Sequence, residues 1–520
     1  MKKFYSQNSL PFLQAQILEK VYLDVASNKK TCMGDIAALT DYKENSRILM
    51  NAIQTLQDKN FINGDIVNGF SIPNDRLEFF QYVITRLDIT KKHYSDELKL
   101  FPNAYPSGLE RFAENQKVED INRYGFVHRW YDYLEDFPYQ LIEDKIKEYK
   151  LGKKSLIVDP FCGSGTTLIS ANLFKCNSVG FDVNPLMTFV SMVKTTFDID
   201  LDKLAQSIRK ISKEFLSIIH DMKHPIPQGS FIYKMPIKEL NQWLSPVLQR
   251  EVALLQESIM KIKMVNIRNL LLLAMSKSCF EASYVSLCPG TTFYPFREKP
   301  DFWKTFINKV YMMYYDIKAV QQHNSYGKTT LINDSCLNSS KYLKKNSIDF
   351  IITSPPYPND LEYTRQTRLE LYLLDYVNNM DDVQKIKRKM TKGSTKLIFK
   401  ESDSEKFIAS DNTIRSISDA IYEMTKDKNW GFDYPRMIRE YFGDMYLCLR
   451  EYYMLMKEGS HFLLVVGDQT IKGVFVPVCD ILIKLAYEIG YKNCRKELFR
   501  IRRSTGHDIP LPEEIIILEK

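Results

Sequence analysis

Paired cysteines are missing from this chain. Its nine cysteines stand singly at positions 32, 162, 176, 279, 288, 336, 448, 479 and 494, with no Cys-x-x-Cys and an odd total. That pattern excludes a disulfide framework and a zinc ribbon and reads as reduced, mostly buried thiols. A run of about 18 uncharged apolar residues is also lacking. The opening "MKKFYSQNSLPFLQAQ" has lysines but no apolar stretch before polar residues intervene, so the expectation is a soluble cytoplasmic protein with no membrane partner. Histidine is scarce: His220 and His224, four apart on an expected helix, have no third ligand nearby and read as a solvated face, with no metal site. Charge of one sign is barely in excess, 71 basic against 64 acidic residues, so only clustering can speak for a polyanionic partner. Apolar side chains, by contrast, make up 44% of the 520 residues, enough for a large core and about three domains.

The most informative stretch is "KKSLIVDPFCGSGTTLISANLFKCNSVGFDVNP", from 153 to 185. A β-type run from Ser155 to Val158 meets a glycine-bearing turn and then a helix-forming segment, which gives strand, tight loop, helix. Gly163 and Gly165 allow the backbone to approach a ligand that a Cβ would repel. A second strand follows and ends in Asp182, roughly twenty residues after Asp159, where nucleotide-binding βαβ units place the acid that receives ribose hydroxyls. The third glycine of a dinucleotide loop is absent, and so is the lysine of a phosphate loop. The pattern therefore predicts an adenosine ligand without an obligatory pyrophosphate.

A second stretch, "DFIITSPPYPND", ends an apolar strand in a stiff, polar tip. Proline fixes its own φ and pushes the preceding residue into an extended conformation, so Ser354, Pro355, Pro356 and Tyr357 present one hydroxyl, free carbonyls and one ring at fixed positions.

With both stretches in one chain, the sequence resembles the amino-group DNA methyltransferases of the N4-cytosine/N6-adenine type, which use S-adenosyl-L-methionine. "DPFCGSGTT" is similar to that family's cofactor loop and "TSPPY" to its catalytic tip. The resemblance implies a cofactor site at Asp159, Phe161, Gly163, Gly165, Thr166 and Asp182. It adds Phe137 and Pro138 in "HRWYDYLEDFPYQLIEDKI", and Asp334 in "LINDSCLN", which would reach the adenine amino group. An exocyclic amine is a poor nucleophile because its lone pair is delocalised into the ring. Acceptors at Ser354 and the Pro355 carbonyl would take its hydrogens and localise that pair, while Tyr357 would stack on an extruded base. The chain contains no Pro-Cys dipeptide, the nucleophile of carbon-5 methylation. The implied activity is N4-cytosine methylation of double-stranded DNA, with a separately encoded restriction endonuclease as a partner. Adenine N6, an RNA guanine-N2 methyltransferase and a regulator with an inactive methyltransferase body are the alternatives that the same motifs leave open.

The expected fold is α/β, a class I (Rossmann-like) methyltransferase sheet with a large helical insertion and an amino-terminal winged-helix-like domain. The expected segments are a winged helix at 1–74, a connection at 75–120 and a cofactor half at 121–195. A helical insertion at 196–325, a catalytic half at 326–378, a basic insertion at 379–430 and closing strands and helices at 431–520 follow. Either insertion is a candidate for target recognition. In the second, Lys385, Lys387, Arg388, Lys389, Lys392 and Lys396 stand without an acid among them, a row suited to DNA phosphates.

Overall fold

The computed structural model describes residues 137–520, except 220–223, 287–291, 296–298, 323–325, 429–430, 432 and 504–509. It also describes Gly125, 127–131 and the greater part of 17–73. The His220 and 75–120 readings fall wholly or largely outside these residues. The chain divides into two compact units, Met1–Pro106 and Ser107–Lys520. In the first, α1 (Met33–Thr40) and α2 (Arg47–Asp58) precede an antiparallel hairpin of β1 (Asn63–Asp65) and β2 (Gly69–Ser71). Leu49, Ala52, Ile53 and Leu56 share one face of α2 at helical spacing and are buried with Ile36 and Phe70.

The second unit is built on a sheet. In chain order it contains α3 (Tyr139–Glu148), β3 (Leu156–Asp159), α4 (Thr166–Leu173), β4 (Asn177–Phe181) and α5 (Pro185–Lys194). A helical excursion follows: α6 (Leu201–Ile218), α7 (Ile237–Trp243), α8 (Pro246–Met260), α9 (Val265–Ala282), the short hairpin β5 (Val285–Ser286) and β6 (Thr292–Phe293), and α10 (Phe302–Gln322). The chain returns through β7 (Thr329–Ile332) and β8 (Ile348–Thr353), then α11 (Tyr363–Gln366), α12 (Arg368–Leu373), α13 (Met380–Lys389), α14 (Asn412–Thr425) and α15 (Tyr434–Leu455). It closes with β9 (Met456–Gly467), the hairpin β10 (Gln469–Ile471) and β11 (Val474–Val476), α16 (Val478–Ile489), β12 (Lys492–Arg503) and β13 (Pro510–Glu519).

The sheet runs β12-β13-β9-β8-β3-β4-β7. Strands β7, β4, β3, β8 and β9 are parallel, and β13 lies antiparallel to β9 and to β12. The class I methyltransferase expectation holds: an open, mostly parallel α/β sheet carries its helices on both faces. Alternation at period two sends Ile157, Phe350, Ile352, Leu463, Val465, Ile515 and Ile517 to one face, under α3 and α4. Val158, Ile351, Phe462, Leu464, Val466, Ile516 and Leu518 go to the other, under α15 and α16. Being covered on both sides is why these strands read as unbroken apolar runs.

The order reverses between β3 and β8, whose outer neighbours continue in opposite directions, and in open sheets a ligand crevice forms there, outside the carboxyl ends. The helical insertion is tied to this half of the unit. Buried Asp316 on α10 accepts from the Val127 amide (3.0 Å), the Trp130 indole (2.9 Å) and the Arg129 guanidinium. Helix α9 packs on α5, α10 and α12, and eleven of its eighteen residues are buried.

Candidate active site

A cavity opens at the carboxyl ends of β3, β4 and β8. Phe161, Cys162 and Gly163 after β3, Asp182 and Asn184 after β4, Asp334 after β7 and 354–357 after β8 all line it. The turn after β3 explains its glycines. Gly163 has φ 47° and Gly165 φ 89°, and a Cβ on Gly165 would lie 2.7 Å from the Ser191 hydroxyl oxygen. The Gly163 amide donates to Asp182 Oδ2 (3.1 Å) and the Asn184 amide to Oδ1 (2.8 Å), which fixes the carboxylate at the cavity wall. Burial pushes the Asp182 carboxyl up to about 7, against the pull of those two amides and with the charge of Asp159 adding to the rise.

Most predicted cofactor residues meet here, with three behind the wall. Phe137, Phe161, Gly163, Thr166, Asp182 and Asp334 line the cavity, whereas Pro138, Asp159 and Gly165 do not. Asp159 is turned inward: its Oδ1 accepts from the Phe161 amide (3.0 Å) and from Thr353 (2.5 Å), so it braces the loop against the end of β8. Pro138 begins α3, and Gly165 supplies the left-handed residue that starts α4. Both Asp334 oxygens are engaged by Asn338 (3.1 and 3.2 Å), with Tyr342 at 3.0 Å. Burial alone would raise this carboxyl, but the donors Ser335, Asn338 and Tyr342 outweigh it and hold it below its usual value.

The tip after β8 is held from two sides that the sequence did not disclose. The Tyr357 hydroxyl donates to Glu513 Oε1 on β13 (2.6 Å), and its oxygen lies 3.2 Å from the Val465 carbonyl oxygen on β9 and 3.5 Å from Ser354 Oγ. On the opposite side Asp360, at φ 63°, accepts from the Thr395 amide (2.9 Å), Ser394 Oγ (2.9 Å) and the Tyr434 hydroxyl (2.6 Å). That clamp draws Gly393 against the Tyr357 carbonyl, 2.5 Å from where a Cβ would stand.

The basic row separates into two kinds. Lys387 is buried and paired with buried Glu362 (2.9 Å), and Lys392 is turned inward, donating to the Met390 carbonyl (2.8 Å). Both ammonium groups are engaged by protein oxygens, which sets them apart from the exposed members of the row. Lys385, Arg388, Lys389 and Lys396 are exposed. Lys385 pairs with Asp382 (2.9 Å), and Arg388 pairs with Glu401 (3.2 Å) and lies over the Phe399 ring. Lys389 stands with Met390 and Thr391 on the cavity wall. Among the described residues, the 196–325 insertion supplies none of the cavity's lining.

The family model described as "DNA methylase" matches residues 40–188. "Type II methyltransferase M.BsoBI" of Geobacillus stearothermophilus is 25% identical over 468 residues, which span 82% of this chain and 88% of that protein. Along most of its length this chain is thus similar to a Type II methyltransferase. "Type II methyltransferase M.AvaI" of Nostoc sp. is 25% identical over 78% of this chain and 89% of its own length. "Type II methyltransferase M.MvaI" of Kocuria varians is 24% identical over 78% of this chain and 95% of its own. The residues at the carboxyl ends of β3 and β4 fit S-adenosyl-L-methionine: a glycine turn open to close approach and a fixed carboxylate for hydroxyl donors, with no cationic phosphate grip in the turn.

Proposed function

We propose that this protein is a site-specific DNA methyltransferase that modifies the N4 amino group of cytosine in double-stranded DNA with S-adenosyl-L-methionine. The observation that carries the reading is that Ser354, Pro355, Pro356 and Tyr357 share one cavity with Gly163 and Asp182. The bound cofactor supplies an electrophilic methyl group. Asp182 would hold its ribose hydroxyls, Gly163 would admit it to the backbone, and Phe137 and Phe161 would cover it with apolar surface. Ser354 Oγ and the Pro355 carbonyl would accept the amine hydrogens and localise the nitrogen lone pair, and the rigid Pro-Pro backbone holds both acceptors in place before the base arrives. The Tyr357 ring would receive the extruded base.

DNA contact falls to the exposed Lys385, Arg388, Lys389 and Lys396, of which Lys389 stands on the cavity wall. Residues 1–74, winged-helix-like in their helix, helix and hairpin order, would add further contacts to the duplex. A separately encoded restriction endonuclease acting on the same sequence would complete the system. The test is nucleoside mass spectrometry of DNA treated with the protein and cofactor, followed by sequencing of the modified sites. N4-methylcytosine at one recurring sequence is the expected product. N6-methyladenine would overturn the choice of base, and methylated RNA beside unmodified DNA would overturn the substrate class.

A further inference from the structure

Glu513 is a buried carboxylate that reaches the cavity from the far end of the chain. It lies on β13, which pairs with β9, and its side chain is 4% exposed. One oxygen accepts from the Tyr357 hydroxyl at 2.6 Å and the other from Arg500, its cross-strand neighbour on β12. A carboxylate this deep needs charge-assisted partners, and Arg500 supplies the countercharge while Tyr357 supplies the neutral donor. The contact holds the Tyr357 phenol oxygen 3.5 Å from the Ser354 hydroxyl.

We infer that Glu513 is a positioning residue for the catalytic tip: with Arg500 behind it, it fixes where the Tyr357 ring stands beside Ser354. The inference rests on the methyltransferase reading above. Prolines constrain the backbone of the tip but leave the tyrosine side chain free to turn about its own bonds. A phenol anchored at its far end by a buried carboxylate, beside the Val465 carbonyl, has lost that freedom before the base arrives. The sheet makes this geometry available. β8 and β13 flank β9, so a side chain leaving the end of β8 crosses β9 and meets β13 at its carboxylate.

The experiment compares Glu513→Gln, which keeps an acceptor for the phenol, with Glu513→Leu, which keeps none, each with Tyr357 present and in a Tyr357→Phe background. DNA methylation rates are read beside cofactor affinity by calorimetry, the affinity reporting that the fold is intact. With the tyrosine present, Glu513→Gln should retain about ten-fold more activity than Glu513→Leu, the worth of one hydrogen bond at a buried site. In the Tyr357→Phe background that difference should disappear, because the phenol through which Glu513 acts is gone. A difference that persists without the hydroxyl overturns the inference and assigns Glu513 to another role. Should Glu513→Leu fail to fold, Tyr357→Phe decides alone: a loss of about ten-fold supports the anchor, and full activity overturns it. Wild-type protein that methylates no DNA would instead refute the methyltransferase reading, a separate failure.

Discussion

Replacing Asp182 by asparagine should separate stability from cofactor binding. The half-buried carboxyl is pushed from 3.8 to about 7, first by burial. With the folded-state value raised, the stability this group contributes is fully present below about 3.8 and is lost as the pH rises through about 7. Between pH 5.5 and 7 the slope is about 1.36 kcal/mol per pH unit, a ceiling of roughly 2 kcal/mol. Because the carboxylate faces an open cavity, solvent screening reduces that to about 1 kcal/mol. Thermal unfolding of the wild type without cofactor should therefore weaken across this window, while Asp182→Asn should lose the slope. Cofactor binding should move in the opposite sense. Ribose hydroxyls that donate to the ionised carboxylate lower its pKa, so binding near pH 6.5 should release a substantial fraction of a proton, measurable by calorimetry in buffers of different ionisation enthalpy. Asp182→Asn should release none and bind about ten-fold to a hundred-fold more weakly. Parallel pH–stability curves for the two proteins, or proton release that survives the substitution, would refute the assignment.

Ser354→Ala should leave cofactor affinity nearly intact in calorimetry and lower turnover by about 100-fold, the usual cost of one transition-state hydrogen-bonding group. Gly393→Ala, whose new Cβ would stand 2.5 Å from the Tyr357 carbonyl, should displace the tip and cut the methylation rate while cofactor affinity holds. Substituting Lys385, Arg388, Lys389 and Lys396 by glutamine should flatten the salt dependence of DNA binding, the slope falling by about 0.9 for each DNA phosphate no longer neutralised. Lys387→Gln should leave that slope alone and cost about 1–3 kcal/mol in unfolding experiments, because buried Glu362 loses its nearest countercharge and keeps the more distant Arg368 at 3.8 Å.

Local sequence determined what depends on local physics. Two glycines and an acid in register read as a strand, an open turn and a second strand because backbone freedom and strand length are properties of neighbours along the chain. The rigidity of Ser354-Pro355-Pro356 was legible for the same reason. The family resemblance extended this to the parallel sheet. Only the tertiary structure decided which charges face solvent. Lys387 and Lys389 are two residues apart on one helix, yet one meets Glu362 in the interior and the other stands on the cavity wall. The composition of the run could not separate them, since the partner acids lie outside it. Asp159 shows the same limit: the motif located it beside the ligand turn, but the approach of Thr353 from β8 turned its carboxylate away from the cavity. Glu513 carried no signal at all, because its meaning depends on β13 lying beside β9, which brings a carboxylate from the end of the chain to a phenol 156 positions earlier. Strand order is a long-range choice, made by burial of both sheet faces together, and every contact that crosses the sheet inherits it.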